Sequence, residues 1–262
     1  MGWYDVRTGN PIKEALSAGK TVVGSFIRLP TPEVAEICAH AGCDFVIVDT
    51  EHTPVGWERV AAMVVAAENA GTTPILRVSN ASRDLISRGL DAGAHGVMVP
   101  QIEEGGTAAA ALAATRYGPG GTRGTAGNMR TGYGVKMGYP DYIEAANDAV
   151  FVALQIESSK GVEAVSDIAS VEGVDCIFIG LTDLSVNLGY PGDYRHAVVE
   201  EKVDEIFARS AELGVPVGVP VADHQMAEEY VRRGARFIAA GDVGMFGKAV
   251  RSFVEGVRRS TA

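Results

Sequence analysis

Two carboxylates, Glu157 and Asp183, each follow a short apolar run, Phe151–Ile156 and Cys176–Ile179. With no cysteine beside either, they make a hard oxygen-ligand set suited to Mg2+ or Mn2+, with positions left for water and substrate. The same residues could instead cap the helices that follow, as Asp183 could ahead of Leu184–Leu188. His52 closes the string Asp49-Thr50-Glu51-His52. A histidine beside carboxylates is either a proton shuttle with a fixed tautomer or an ordinary loop histidine. Arg77 ends the apolar run Pro74-Ile75-Leu76. A guanidinium there needs an anionic partner, which is either a substrate oxygen or a structural carboxylate. Arg123, inside Gly121-Thr122-Arg123-Gly124, either reaches an anion from a glycine-rich loop or stays solvated. His40, His95, His196 and His224 fall in helical stretches or turns and read as structural, and Met98 and Met129 as packing residues.

These residues need a frame that brings them together. Eight short, mostly β-branched runs recur: Val22–Ile27, Phe45–Thr50, Pro74–Val78, Gly96–Pro100, Phe151–Glu157, Cys176–Gly180, Pro216–Pro220 and Arg236–Ala240. Between them lie Ala- and Glu-rich stretches of helical spacing: Pro32–Ala41, Trp57–Ala70, Leu85–Ala92, Glu103–Ala114, Gly161–Val171, Glu200–Leu213 and Ala222–Arg233, with Val243–Arg258 at the end. Runs such as Phe45-Val46-Ile47-Val48 are continuously apolar, as parallel strands covered by helices must be. The pattern predicts a (β/α)8 TIM barrel over one domain, residues 1–262. A doubly wound open sheet has the same alternation, but eight strands in this length favour the barrel. In a barrel, Asp49, His52, Arg77, Glu157 and Asp183 all stand at carboxyl ends of strands, where such folds build their sites. No lysine stands at those strand ends to form a Schiff base.

The chain has 262 residues, 47% of them hydrophobic and 21% charged, enough to bury a sizeable core. Its 23 Lys plus Arg against 33 Asp plus Glu give a net charge of −10, which argues against nucleic-acid and anionic-membrane partners. Three cysteines, Cys38, Cys43 and Cys176, without a C-x-x-C pair, suggest neither a disulfide framework nor a zinc knuckle. The N-terminus Met1-Gly2-Trp3-Tyr4-Asp5-Val6-Arg7 has no leader-like apolar segment, so a cytoplasmic protein is expected. Glycine is abundant, 32 residues. Many of these end helices, but eight cluster within residues 117–138, in the long connection between the fourth and fifth strands, which is expected to border the mouth of the barrel. That segment matches neither a Walker loop nor a dinucleotide fingerprint.

Taken in order, Val48-Asp49-Thr50-Glu51-His52, Pro74-Ile75-Leu76-Arg77, Thr115-Arg116-Tyr117 with Gly121-Thr122-Arg123-Gly124, Leu154-Gln155-Ile156-Glu157, Val171-Glu172-Gly173-Val174-Asp175, and Phe178-Ile179-Gly180-Leu181-Thr182-Asp183-Leu184-Ser185 resemble the HpcH/HpaI family of class II pyruvate aldolases. The resemblance runs from about residue 10 to 250. It implies a phosphoenolpyruvate/pyruvate-type barrel in which Glu157 and Asp183 hold a divalent ion, Mg2+ or Mn2+ first and Co2+ or Zn2+ next, that chelates a 2-oxo acid. It further implies that Arg77 faces the ketone oxygen, that His52 paired with Asp49 moves a proton through a water, and that Gln155 and the backbone at Thr182 and Asp183 meet the substrate. The implied reaction is reversible cleavage of a 4-hydroxy-2-oxo acid to pyruvate and an aldehyde. The rivals are an oxaloacetate-type decarboxylase or C–C bond-forming synthase with the same enolate, a citryl-CoA-lyase-like enzyme, and a non-catalytic metabolite-binding barrel. The family also implies homo-oligomers, commonly hexamers built as trimers of dimers. Val243, Met245, Phe246, Val250, Phe253 and Val257 suit either a docking helix or packing on the chain's own barrel. Leu181-Thr182 and Val78 depart from the family's frequent Pro-Ala and proline, which bears on substrate choice.

Overall fold

The computed structural model describes residues 5–260; the first four residues of the N-terminal string read above lie outside it. Eight strands, β1 (Val22–Ile27), β2 (Phe45–Asp49), β3 (Thr73–Arg77), β4 (Gly96–Val99), β5 (Phe151–Ile156), β6 (Cys176–Ile179), β7 (Val217–Val221) and β8 (Phe237–Gly241), pair in parallel and in sequence order. β8 returns to pair with β1, and this closure distinguishes the barrel from the doubly wound alternative. The helix expected over 161–171 is two short ones, Ser159–Glu163 and Val165–Ala169. Two further helices, Pro11–Ser17 and Tyr139–Ala149, lie outside the expected helical stretches, and the one that Asp183 could precede, Leu184–Leu188, starts earlier, as Leu181–Asn187.

Strand periodicity decides what fills the barrel. Alternate residues point inward, and the inner cluster holds Phe26, Phe45, Ile47, Ile75, Met98, Phe151, Ala153, Phe178, Phe237 and Ala239. Glycines make room for these rings: a Cβ at Gly96 would lie 2.5 Å from the carbonyl oxygen of Phe151, and one at Gly218 would lie 2.8 Å from the Phe178 ring. Phe45 stacks on Phe237 with centroids 4.0 Å apart. Ile12 and Leu16 of the N-terminal helix close the bottom of this cluster. The remaining strand residues, such as Val46, Val48, Leu76 and Val97, face outward into the layer under the helices.

The same period carries on to the carboxyl ends. Two residues beyond Ile47 comes Asp49, two beyond Ile75 comes Arg77, and two beyond Ala153 comes Gln155. All three therefore continue the inward rows at the top layer of the barrel, where apolar filling gives way to polar groups.

Candidate active site

The register of β2 with β3 sets Asp49 directly beside Arg77. The guanidinium donates from Nε to Asp49 Oδ1 at 3.0 Å and from Nη2 to Oδ2 at 2.7 Å. Nη1 lies 3.3 Å from Glu51 Oε2, and the guanidinium stacks over Phe26 at 4.7 Å. Asp49 is fully buried; burial raises its carboxyl pKa, but the Arg77 pairing outweighs this and holds it below the ordinary value. Asp49 Oδ1 also accepts the backbone N–H groups of Glu51 and His52, which shapes the turn after β2. Asp49 is thus the carboxylate that orients Arg77. The His52 ring, expected to pair with Asp49, instead has its Nε2 3.7 Å from Glu51 Oε2.

Glu157 follows β5 and is buried, with Oε1 accepting the backbone N–H of Gln101 at 2.8 Å and Oε2 accepting from the Gln155 amide. Gln101 presents that N–H from a left-handed conformation, φ 56°. Gly180 lies so close to Glu157 that any side chain there would collide with the carboxylate. Asp183 sits in the first turn of the helix Leu181–Asn187, whose N-cap is Gly180 without a side-chain cap bond. The helix after β5 is capped by Ser158, not Glu157. Neither carboxylate serves as the cap that was its alternative reading.

The acids converge without enough positive charge to balance them. Burial raises the Glu157 pKa, the Gln155 and Gln101 hydrogen bonds oppose it, and Glu51 and Asp183 add to the rise. Burial, with Asp49 and Asp183, lifts Glu51 to about 7 against the opposing pull of Arg77. Oxygen donors short of positive charge are what a hard divalent cation neutralises. Among the described residues no three His, Cys, Asp or Glu side chains form a metal cage; Glu157 and Asp183, which line one cavity, are the oxygen donors that could hold such an ion.

His52, Arg77, Gln155, Thr182 and Asp183 share the wall of a cavity of about 380 Å³ with Phe26, Arg28, Phe178, Gly180, Pro220, Val221 and Gly241. An adjoining cavity is lined by Glu51, His52, Gln101, Glu103, Glu157 and Asp183. The Gln155 Oε1 atom is buried without a hydrogen-bond partner. The Thr182 hydroxyl meets the Tyr194 hydroxyl at 2.9 Å.

Arg123 is not part of this wall. It is buried, its Nη2 bonds Asp91 at 2.9 Å, and its guanidinium lies 4.6 Å from the Tyr117 ring centroid. Asn128 reaches the same Asp91, and Arg130 reaches Glu68 and the Gly93 carbonyl. Asp91 and Gly93 lie just before β4, at the amino end of the strands. Arg123, Asn128 and Arg130 thus anchor the glycine-rich segment at the amino end of β4, while the Thr122 carbonyl accepts from Arg83 of the helix after β3. The site residues without a place in the sequence-based expectations are Arg28, Phe26, Gln101 and Tyr194, and Phe178 and Gly180 have no role of their own in them. The sequence carries a signal for Arg28: it stands directly after the first apolar run, two residues beyond the inward Phe26.

A family model described as HpcH/HpaI aldolase/citrate lyase matches residues 23–249. The chain belongs to the HpcH/HpaI aldolase/citrate lyase family. Among its HpcH/HpaI relatives, a hydroxypyruvate/pyruvate aldolase of Paraburkholderia phytofirmans is 36% identical over 257 residues, covering 95% of this chain and 98% of the relative. A 5-keto-4-deoxy-D-glucarate aldolase of Citrobacter koseri is 33% identical, with 95% and 97% covered. The crystal structure of an HpcH/HpaI aldolase/citrate lyase family protein from Burkholderia cenocepacia superposes with a TM-score of 0.90 at 36% identity, covering 95% of this chain and 99% of that one. As a member of this aldolase family the protein is an enzyme of the carbon–carbon lyase class.

Proposed function

We propose that the protein reversibly cleaves a 4-hydroxy-2-oxo acid to pyruvate and an aldehyde through a pyruvate enolate, with a divalent metal held by Glu157 and Asp183. The observation that carries this reading is the single cavity wall joining Arg77, Gln155, Asp183 and His52, with Glu157 buried behind it. The names of the pyruvate- and keto-deoxy-glucarate-cleaving relatives support the substrate class. Bound there, the metal would supply Lewis-acid stabilisation to the oxygen on which negative charge develops.

The chain's own groups fill the other roles. Arg77 is held rigid by Asp49 through two of its five N–H donors, so its remaining donors aim at the former ketone oxygen without reorganising as charge develops. Gln155 donates to Glu157 and keeps that ligand oriented. His52, half exposed at the junction of the two cavities, takes the 4-hydroxyl proton as the C3–C4 bond breaks to aldehyde and enolate, and returns a proton through water to C3 of the enolate to give pyruvate. The backbone at Thr182 and Asp183 opens the helix Leu181–Asn187 and receives the substrate carboxylate. Arg123, tied to Asp91, has no role at this chain's own mouth.

Val243, Phe246, Val250, Phe253 and Val257 recur at alternating three- and four-residue steps along the exposed side of the helix Asp242–Ser260. A seam of that period suits a facing helix, and the reading includes a second copy of the chain as its occupant.

Pyruvate release from hydroxy-oxo acids, with Mg2+, Mn2+, Co2+ or Zn2+ returned to chelator-stripped enzyme, tests the mechanism. Stripping should abolish release and Glu157→Gln should lower kcat/KM by about a hundredfold or more. Unchanged release from both would overturn the metal role. Decarboxylation of oxaloacetate with no hydroxy-oxo acid cleaved would replace the reaction.

A further inference from the structure

The cavity wall contains one basic side chain that the reaction above does not use. Arg28 follows β1 directly, and its rim position is fixed from below. The buried Asp242 carboxylate accepts the backbone N–H groups of Arg28 at 3.0 Å and Leu29 at 2.8 Å. The guanidinium lies over Gly241 at the end of β8, with Nη2 3.5 Å from where a Cβ would stand. The other basic groups of this wall have carboxylates nearby, Asp49 and Glu51 for Arg77 and Glu51 for His52. Arg28 has none within ion-pair distance among the described residues and donates no side-chain hydrogen bond there.

Depth orders the two arginines. Arg77 is buried and packs on Phe26, whereas Arg28 comes one inward step above Phe26 and is exposed at the rim. A substrate whose oxo-acid head is held above Phe26 and Phe178, at Arg77, Gln155 and Asp183, must send its other end outward past Pro220 and Val221. That end leaves the cavity beside a free guanidinium on the β1–β8 side, across the barrel from Glu157 and Asp183, which follow β5 and β6. Phe26 and Phe178 form an apolar floor that lowers local screening.

We propose that Arg28 is a specificity-determining residue that selects aldehydes whose far end carries an anionic group, by paired charge-assisted hydrogen bonds from its guanidinium. This inference rests on the pyruvate-aldolase reading. The shared chemistry is a terminal oxyanion, which either a carboxylate or a phosphate provides.

The test runs the reaction in the addition direction, with pyruvate and matched aldehydes, on the metal-loaded enzyme. Succinic semialdehyde is paired with butanal, and glyceraldehyde 3-phosphate with glyceraldehyde. Wild type should favour the charged member of one pair, and Arg28→Gln should lower kcat/KM for that member by about 10- to 100-fold, chiefly through KM. The neutral member should change less than about twofold, and Arg28→Lys should restore part of the preference. The pair that responds identifies the anion. Equal losses on charged and neutral aldehydes, or no charged preference in wild type, would overturn the role of Arg28. Exchange of the pyruvate methyl protons with solvent deuterium separates the two readings. If exchange persists without a charged preference, only this inference fails. If wild type neither exchanges protons nor adds any aldehyde, the aldolase reading itself fails.

Discussion

Glu157 shows how little freedom the acids have. Its two oxygens are claimed by the Gln101 backbone and the Gln155 amide, and its outer side is limited by Gly180. A single methyl group at Gly180 must push against the carboxylate itself. Gly180→Ala should therefore lower activity at least about tenfold and raise the metal concentration needed for half-activity, since misplaced supporting groups typically cost 10- to 100-fold. A thermal midpoint within a few degrees of wild type would show that the loss is local. Wild-type metal dependence in this variant would mean that Glu157 has another rotamer able to do its work. The Asp49–Arg77 pair makes a related point. The partner of Arg77, left open between substrate and structure by its position, is a structural carboxylate in the structure, yet the pairing leaves donors free and keeps Arg77 at the cavity wall.

At the scale of elements, strands place and helices carry. Arg77, Asp49 and Gln155 reach the mouth because they continue inward rows, and Asp183 reaches it because the helix Leu181–Asn187 starts immediately after β6. The opposite end of the barrel has its own polar network, around His95 just before β4. Its Nε2 lies 3.3 Å from Glu68 Oε2, and burial lowers its pKa from 6.5 to about 4, with the nearby Arg130 also lowering it and Glu68 opposing. In the unfolded chain this histidine takes up a proton near its ordinary pKa, while in the folded chain it resists until about 4. The unfolded state then binds more protons throughout that interval, so stability falls as pH drops through it. The thermal midpoint should decrease between pH 7 and pH 4.5 more steeply in wild type than in His95→Gln. Parallel slopes would remove His95 as a source of acid sensitivity.

On the scale of the whole molecule, the net charge of −10 does not prevent binding of an anionic oxo acid, because Arg77, Arg28 and a cation at Glu157 and Asp183 would offset the local acids. No helix among the described residues is long and apolar enough to cross a membrane. The helix Asp242–Ser260 presents Phe246 at 64% and Phe253 at 73% exposure, so its apolar positions do not pack on the chain's own barrel. If copies associate through that seam, the double variant Phe246→Glu with Phe253→Glu should give a smaller species by light scattering with an unchanged circular dichroism spectrum. An unchanged mass would assign the seam to something other than self-association.

The amino-acid sequence alone determined the order and ends of the eight strands to within about two residues, because continuous apolar runs bounded by glycine leave little choice of element. It also placed Asp49, His52, Arg77, Gln155, Glu157 and Asp183 at or just beyond strand ends, since each closes or follows a continuous apolar run. What it could not decide was which neighbours meet. Closure of β8 on β1, the pairing of Asp49 with Arg77 instead of His52, and the position of Arg28 over Gly241 depend on register between strands distant in sequence. The glycine-rich segment is the sharpest case: its composition suggested a loop at the mouth, but Arg123, Asn128 and Arg130 anchor it at the amino end of β4. Local sequence sets what a segment can be, and only the path of the chain through space sets what it touches.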